Sequence, residues 1–364
     1  VSIEIEKPIE KTNLPLNNSV SLPNNVTNNN VTTNSSNSSP TDNLTGVTDN
    51  KKSCLVIGAG WMAQEYLKAA RYISNLQMSF YAPSEKNKLN IESLGGLFFV
   101  DLKTAIRTVQ PTHIIVASSV DSLSAMTQNM LDMGFENILV EKPAYLNNAE
   151  AEAIVSKIRT QSVYVAYNRR YYASAAKAMQ LIEQNNEKIV GVQFEFTELS
   201  SDIEKNEKFS DMVKSHWALA NSSHVIDFAF FPIGLPQKSK LSCYQCGHLD
   251  WHKTAAQMVG SGLSQKGVPF CYSAYWGGVG RWSVDWITDK TRYVFKPMEK
   301  LQIQKIGQFS YEEVSLSWPY EGVKHGLVEQ LEAFICGNKA QHLLTLQQSV
   351  ELHHIVALMA GYKD

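Results

Sequence analysis

The sequence has few cysteines, almost no net charge and no long apolar run. Its five cysteines are scattered over 364 residues, which argues against a disulfide framework and favours reduced thiols. The formal net charge of -2, from 33 basic and 35 acidic residues, does not favour nucleic acid or an anionic membrane as a partner. No apolar stretch reaches the roughly 20 residues of a membrane helix, and the first residues lack the apolar core of a signal peptide. We therefore expect a cytoplasmic protein with a small-molecule ligand.

Asparagine, serine and threonine dominate the sequence from about Thr12 to Asn50. Such a composition buries too little apolar surface to offset the entropy lost on ordering. We expect residues 1–50 to form a disordered linker, in which the glycosylation sequons arise from composition alone. Whether the apolar start SIEIEKPIE ends an upstream domain or is a docking strand stays open.

From Ser53 onward, short apolar runs alternate with helical stretches. This alternation is typical of β-α-β units and predicts a Rossmann domain with a parallel sheet over residues 51–168. The later strand-like runs, to about Ile306, follow one another without helices, which predicts a large, mostly antiparallel open sheet. We expect residues 169–364 to form a substrate-binding α+β domain that ends in two helices.

A glycine-rich segment, GAGWMA, directly follows the apolar strand CLVI and begins a helical pattern. It fits the dinucleotide-binding fingerprint G-x-G-x-x-A. Gly58 would permit the tight turn, Gly60 would let a pyrophosphate approach the backbone, and Ala63 would let the helix pack closely on the strand. The segment predicts a bound nicotinamide dinucleotide.

The end of the second strand bears on the choice between NAD and NADP. An acidic residue there would bind the ribose 2′-hydroxyl of NAD, but this chain has Tyr81 and Ala82, followed by Ser84, Lys86 and Lys88. A hydroxyl and two lysines accommodate a 2′-phosphate more easily than they exclude it, which favours NADP. The alternative is that both lysines belong to a solvated loop.

Three further motifs follow in order: EKPA from Glu141, YNRRYY from Tyr167 and NSSHVID from Asn221. With GAGWMA they resemble the family of glucose-fructose oxidoreductase, inositol dehydrogenase and rhizopine-catabolism proteins. The resemblance spans Ser53 to the C-terminus. It implies that Lys142 contacts the cofactor ribose and the substrate, and that His224 lies over the nicotinamide as proton donor and acceptor. Asp227, one helical turn beyond His224, could orient it. The alternative is a polar pair that supports interdomain packing.

Two positions depart from the family pattern. Its sugar dehydrogenases commonly have an aspartate four residues before the histidine, where this chain has Ala220. A family histidine after the fourth strand is also absent from the segment Ser119 to Leu123. Without this carboxylate His224 lacks its usual partner, unless Asn221, Ser222 or Ser223 substitutes for it. Either the substrate differs or catalysis is weakened.

The predicted site can now be stated in full. The predicted catalytic residues are Lys142, His224 and Asp227. The predicted cofactor-binding residues are Gly58, Gly60, Trp61, Met62, Ala63, Ser84, Lys86, Ser118, Glu141, Lys142 and Arg169. The predicted substrate-binding residues are Lys142, Asn168, Arg170, Asn221 and His224. The two arginines bind anions or, equally, form salt bridges at the domain boundary.

Two other patterns invite a functional interpretation. Cys243 and Cys246, followed by His248 and His252, resemble zinc ligands, but residues three apart on a strand face opposite sides and no second pair follows, so we predict no metal. The aromatic residues between Tyr272 and Trp286 show near-alternate spacing, which indicates packing on one sheet face before any sugar stacking.

The sequence as a whole predicts an NAD(P)-dependent oxidoreductase that transfers a hydride between nicotinamide and a sugar or nucleotide sugar. One alternative is a non-catalytic NAD(P)-binding sensor of the same fold, which the absent aspartate and the linker favour. Another is the oxidoreductase module of a longer sugar-biosynthesis polypeptide, tethered by the linker to an upstream domain. In either case we expect a homo-oligomer formed through the C-terminal sheet, with no nucleic-acid or membrane partner.

Overall fold

The computed structural model describes residues 52–363, so the predicted linker over residues 1–50 lies outside the described residues. The first part of the chain alternates strands and helices as expected. Its elements are β1 Lys52–Ile57, α1 Trp61–Ala70, β2 Leu76–Tyr81, α2 Lys88–Ser93, β3 Leu97–Phe99, α3 Leu102–Val109, β4 His113–Val116, α4 Leu123–Asp132, β5 Asn137–Val140, α5 Asn148–Val155 and β6 Ser162–Val165.

The first six strands form a parallel sheet in the order β6-β5-β4-β1-β2-β3. The central strands are apolar throughout because helices cover both faces of the sheet; Leu55, Val56, Ile114 and Ile115 are fully buried. The order reverses between β1 and β4, and ligands of such sheets bind at this point, beyond the carboxyl ends of the strands. The predicted Rossmann domain is confirmed.

Local signals account for most helix ends. The Asp101 side chain caps α3 by accepting from the Thr104 N–H, and Gly134, with a φ of 81°, follows the end of α4. Asp121, whose position before α4 suits a cap, does not cap this helix, since its carboxylate instead accepts from the Ser210 hydroxyl at 2.9 Å. Helix α4 therefore begins without a side-chain cap.

The second domain continues with helices and a large sheet. Its elements are α6 Ala173–Gln184, β7 Ile189–Glu195, α7 Ser200–Glu204, α8 Asp211–Ser215, α9 Ser223–Phe230, β8 Pro236–Cys246, β9 Gln257–Ser264, β10 Pro269–Tyr275, β11 Ser283–Thr288, β12 Thr291–Phe295, β13 Gln302–Lys305 and β14 Glu312–Glu313.

This second sheet has the order β14-β13-β12-β11-β7-β10-β9-β8. Its described neighbours pair antiparallel except β7 and β10, which are parallel, so the predicted fold class is confirmed. Helix α9 packs against β7 and β11, where Phe228 stacks on Trp286 at 5.0 Å between ring centroids. The alternating aromatic residues of the strands thus fill one face of the sheet, which positions α9 and the residues just before it.

The C-terminal segment returns to the first sheet. It consists of α10 Leu327–Cys336, β15 Leu344–Thr345 and α11 Leu346–Ala360. Strand β15 pairs antiparallel with β6, and α10 packs against α1 within the apolar core of the Rossmann sheet. The sequence assigns these helices to the second domain, whereas the structure packs α10 on the first. Within residues 52–363, no helix has the length and apolar character needed to cross a bilayer.

Candidate active site

The segment Gly58 to Ala63, which we call the glycine turn, connects β1 to α1. Gly58 has a φ of 126°, and a Cβ there would lie 2.3 Å from the Ala117 carbonyl oxygen. A Cβ on Gly60, in contrast, would meet no heavy atom within 4 Å. Ala63 is fully buried between helix and sheet. Gly58 is thus required by the fold, whereas Gly60 leaves open space above the backbone.

The residues of the glycine turn fit a dinucleotide. Helix α1 begins at Gly60 with no side-chain cap, so its first N–H groups and the positive end of its dipole are available to phosphate. Trp61 is exposed, and the Lys324 ammonium lies 4.9 Å from its ring centroid and 3.8 Å from the Met62 sulfur. A cation from the C-terminal segment therefore stands beside the phosphate end of the predicted cofactor site.

The loop after β2 has the residues predicted to choose between NAD and NADP. Ser84 caps a short 3-10 helix by accepting from the Lys86 N–H at 3.3 Å, and Lys86 is exposed. Lys88 forms an ion pair with Glu85 at 3.0 Å, as expected of a solvated loop. Of the two lysines, only Lys86 stays a candidate for binding a 2′-phosphate.

Lys142 follows β5, before a cis peptide bond to Pro143, and is buried. Its ammonium donates to the Ala220 carbonyl oxygen at 2.5 Å. Ala220 lies in a single turn of π-helix, Ala218–Ser222, that precedes α9; such turns often mark functional sites. Burial is the main reason why the pKa of Lys142 falls to about 7; Glu141 opposes this shift and Arg169 adds to it. Ala220 stands at the position where an aspartate was expected from the resemblance, and its backbone carbonyl oxygen holds the Lys142 ammonium.

Glu198, which the sequence analysis did not single out, stabilises this π-turn. Its buried carboxylate accepts from the Asn221 amide at 3.1 Å and the Ser222 hydroxyl at 2.6 Å, and Arg281 approaches it at 3.4 Å. Burial raises the pKa of Glu198, whereas these hydrogen bonds and Arg281 oppose the shift. The Glu198 carboxylate, from the segment that follows β7, therefore accepts hydrogen bonds from Asn221 and Ser222, two of the three possible substitutes for the absent aspartate.

His224 is buried at the start of α9, and its Nδ1 has no hydrogen-bond partner in the described part of the chain. The Tyr167 ring lies edge-on to it at 5.6 Å between centroids. Burial holds the pKa of His224 well below its ordinary value, and the positive charges of Arg169 and Lys142 lower it further. His224 is therefore neutral near pH 7 and able to accept a proton.

Asp227 has a different partner from the one predicted. Both of its carboxylate oxygens accept from the Arg170 guanidinium, at 2.6 and 2.8 Å, and the pair is almost wholly buried. Asp227 is thus not oriented toward His224, and Arg170 forms the salt bridge across the domain boundary that was the alternative to anion binding. Most of the hydrogen-bonding capacity of Arg170 and Asp227 is thus used within the protein, since Arg170 also donates through Nη1 to the His342 carbonyl oxygen at 3.3 Å.

Arg169, the neighbour of Arg170, differs from it sharply. Its guanidinium is buried 4.8 Å from the Trp282 ring centroid, and its Nε and Nη1 have no hydrogen-bond partner among residues 52–363. The buried Trp282 indole N–H is also without a partner there. Since Arg169 lowers the pKa values of both Lys142 and His224, we refer to Lys142, Arg169 and His224 as the charged cluster.

The other predicted residues surround this cluster. Glu141 is buried and accepts from the Tyr66 hydroxyl at 2.7 Å, and the Ser118 hydroxyl accepts from Ser122 at 2.8 Å. Asn168 donates to the His325 carbonyl oxygen at 2.8 Å, and the Oδ1 of Asn221 is buried without a partner in the described chain. Asn168 thus connects β6 to the C-terminal segment, and Asn221 keeps one acceptor available.

The cysteines and histidines considered for zinc lie in and beyond β8. Cys246 and His248 are exposed, Cys243 is half-buried, and His252 is held by Ala255 and Tyr362. Within residues 52–363, no group of three or more potential ligands could hold a metal ion.

The aromatic residues Tyr272, Trp276, Trp282 and Trp286 are buried, whereas Tyr275 is exposed on the other face of the sheet. Packing is therefore their main role in the fold.

Fold and crevice together define a two-domain dinucleotide-binding protein. Residues 52–169 match the family model described as an oxidoreductase family with an NAD-binding Rossmann fold, the Gfo/Idh/MocA family. The resemblance inferred from the motifs is thus confirmed for the Rossmann domain, which is the part of the chain that the family model matches. No curated protein matches the chain.

Solved structures share both domains. An oxidoreductase from Agrobacterium radiobacter, in complex with NAD+, L-tartaric acid and magnesium, has a TM-score of 0.68 and 13% identity over 86% of this chain and 96% of its own. Levoglucosan dehydrogenase in complex with NADH and levoglucosan has a TM-score of 0.68 and 15% identity over 85% and 96%. UDP-N-acetylglucosamine 3-dehydrogenase from Acidithiobacillus ferrooxidans has a TM-score of 0.62 and 14% identity over 85% and 95%. At these identities the likeness establishes the fold.

Proposed function

We propose that this protein is a nicotinamide-dependent dehydrogenase or reductase of a sugar or nucleotide-activated sugar. The observation that carries the proposal is the convergence of Lys142 and His224, from two different domains, in the crevice where ligands of a Rossmann sheet bind. Levoglucosan dehydrogenase and UDP-N-acetylglucosamine 3-dehydrogenase, which share the fold, support a sugar as the substrate class.

Lys142 and His224 are suited to proton transfer and charge stabilisation at one oxygen of the substrate. A dinucleotide whose pyrophosphate binds at the glycine turn would supply the hydride acceptor or donor through its nicotinamide. A neutral His224 can accept the proton of a substrate hydroxyl, and its imidazolium can return that proton in the reverse direction. The Lys142 ammonium, held by the Ala220 carbonyl, can stabilise negative charge on the same oxygen. Asn221 and Asn168 stand nearby as predicted substrate contacts.

A non-catalytic sensor is the second candidate function. Ala220 replaces the carboxylate that the family places near the histidine, and His224 has no described partner at Nδ1. A protein that binds the dinucleotide without turning it over would have the same glycine turn. The two functions therefore differ in turnover and agree in cofactor binding.

The deciding experiment measures binding and turnover separately. Tryptophan fluorescence quenching gives the affinities for NADH and NADPH, and nicotinamide absorbance follows turnover with a panel of free and UDP-linked sugars. We expect micromolar cofactor affinity and turnover with at least one sugar class. Cofactor binding with no turnover across the panel would favour the sensor, and no cofactor binding would contradict both functions.

We also propose that copies of the chain associate through the outer face of the second sheet. Tyr244, Val259, Leu263 and Tyr275 are exposed there, although strands β8 to β10 bury their other face. Light scattering of the protein against a Leu263→Lys variant tests this: the variant should be monomeric. A cytoplasmic location and an upstream domain joined by residues 1–50 stay predictions.

A further inference from the structure

Arg169 is a buried cation with no counter-ion of its own among the described residues. Its guanidinium stacks over Trp282, 4.8 Å from the ring centroid, and 5.8 Å from the Tyr172 centroid. Aromatic rings hold the face of a guanidinium and leave its N–H edge unused. Nε and Nη1, which lie on the two different edges of the guanidinium, are both buried and without an acceptor in residues 52–363. Burying a guanidinium in this way costs free energy unless an anion accepts hydrogen bonds from its unused N–H groups.

Two further donors lie close to Arg169. The Trp282 indole N–H, next to it, is also buried without a partner, and the Lys142 ammonium lies close enough to interact electrostatically. The carboxylates nearby are already in use: Tyr66 donates to Glu141, Arg170 takes Asp227, and Asn221 and Ser222 donate to Glu198. Among residues 52–363, none of these carboxylates pairs with Arg169, so its acceptor is left for a ligand to supply.

We propose that the substrate carries a carboxylate, which Arg169 binds edge-on beside His224. The proposal rests on the proposed function and narrows its substrate class to sugar acids, free or nucleotide-activated. A carboxylate presents two oxygens that match two parallel N–H donors of a guanidinium, and such bidentate pairs are strong and directional. The pyrophosphate of the cofactor has its own donors at the start of α1, above the open space at Gly60.

The test compares matched acidic and neutral ligands by calorimetry on the NADH-loaded protein. The pairs are D-glucuronate and D-glucose, D-galacturonate and D-galactose, and UDP-glucuronate and UDP-glucose. We expect at least one acid to bind about 10- to 100-fold more tightly than its neutral partner, the range for a charged hydrogen bond. Equal binding within every pair, or no binding by any acid, overturns the inference.

Variants identify the residue responsible. Arg169→Met should remove the preference for the acid, and Arg169→Lys should retain part of it because the charge stays while the bidentate geometry is lost. The control is Arg292→Met, an arginine of the second sheet already paired with Asp285, which should bind like the unchanged protein. If Arg169→Met misfolds, the acid and neutral comparison with the unchanged protein and Arg169→Lys still decides.

Cofactor titration separates this inference from the proposed function. The sequence analysis predicts Arg169 as a cofactor-binding residue, whereas the present inference makes it a substrate ligand, so Arg169→Met should keep its affinity for NADH. Loss of NADH affinity in this variant, with no acid preference in the unchanged protein, would make Arg169 a ligand of the cofactor phosphates and overturn the inference. Binding of NADH together with turnover of neutral sugars only would also overturn the inference, yet it would leave the proposed function intact. Failure of the unchanged protein to bind NADH would contradict the proposed function itself.

Discussion

The glycine turn and the charged cluster lie in the same crevice but differ in the residues that form them. The turn consists of six consecutive residues whose main contribution is the absence of side chains, at Gly58 and Gly60. The cluster consists of three large polar side chains, Lys142, Arg169 and His224, from distant segments. The turn is selective by steric fit, so substitutions there should act on binding. The cluster acts through charge, so substitutions there should act on rate and on its pH dependence.

The largest expected effect tests the chemical role of the cluster. His224→Asn removes the group that exchanges the proton, and kcat should fall about 100- to 10,000-fold, the usual contribution of a general base. NADH affinity, set at the glycine turn, should change little. His248→Asn, at an exposed histidine of the second domain, is the control and should retain full activity. A similar loss of NADH affinity in His224→Asn would contradict the assignment of cofactor binding to the glycine turn and of the chemical step to the charged cluster.

A pair of glycine variants tests the steric nature of the turn. Gly60→Val projects into open space, so the protein should fold normally but lose NADH affinity by about 100-fold or more, equivalent to two charged hydrogen bonds. Gly58→Val would collide with the Ala117 carbonyl and should destabilise the fold by about 3 kcal/mol or more. Thermal unfolding and fluorescence titration measure both. Unchanged NADH affinity in Gly60→Val would contradict the assignment of the turn.

The pH dependence of kcat/KM tests the electrostatics of the cluster. Lys142 is charged below its pKa of about 7 and loses that charge as the pH rises, so activity that needs the ammonium should fall about tenfold per pH unit above this value. His224 stays neutral above its lowered pKa, which places the acidic limb well below pH 6.5. Lys142→Arg should move the alkaline limb upward at reduced overall rate, since arginine stays charged. A flat profile between pH 7 and 9 would show that the lysine charge is not required.

The smallest effect concerns the loop after β2. If Lys86 receives a 2′-phosphate, NADPH should bind more tightly than NADH, and Lys86→Glu should reverse the order, with a change of about tenfold in the ratio because the charge is exposed to solvent. Lys88→Glu is the matched control, since Lys88 already pairs with Glu85. A preference of the unchanged protein for NADH would show that Lys86 is only a solvated residue.

Patterns within a short stretch of sequence predicted the strands, the helices and the glycine turn. Short apolar runs with helices between them are typical of a parallel sheet covered on both faces, and β1 to β6, of three to six residues each, lie where these runs are. Signals at helix ends were less reliable, as Asp121 shows, because a side chain near a helix start can find a distant partner such as Ser210. The return of α10 to the Rossmann domain had no local signal.

The sequence by itself determined the fold class and the dinucleotide turn, because these depend on local geometry and on the hydrophobic periodicity. It also named Lys142, Arg169 and His224 as candidates for the site. Only the tertiary structure decided how those residues pair. Arg169 and Arg170 are adjacent and chemically identical, yet Arg170 binds Asp227 and Arg169 stacks on Trp282 with its N–H edge unused. Glu198 and the Ala220 carbonyl became part of the site for the same reason. Pairing between buried charges depends on distances across the fold, which no local pattern of residues encodes.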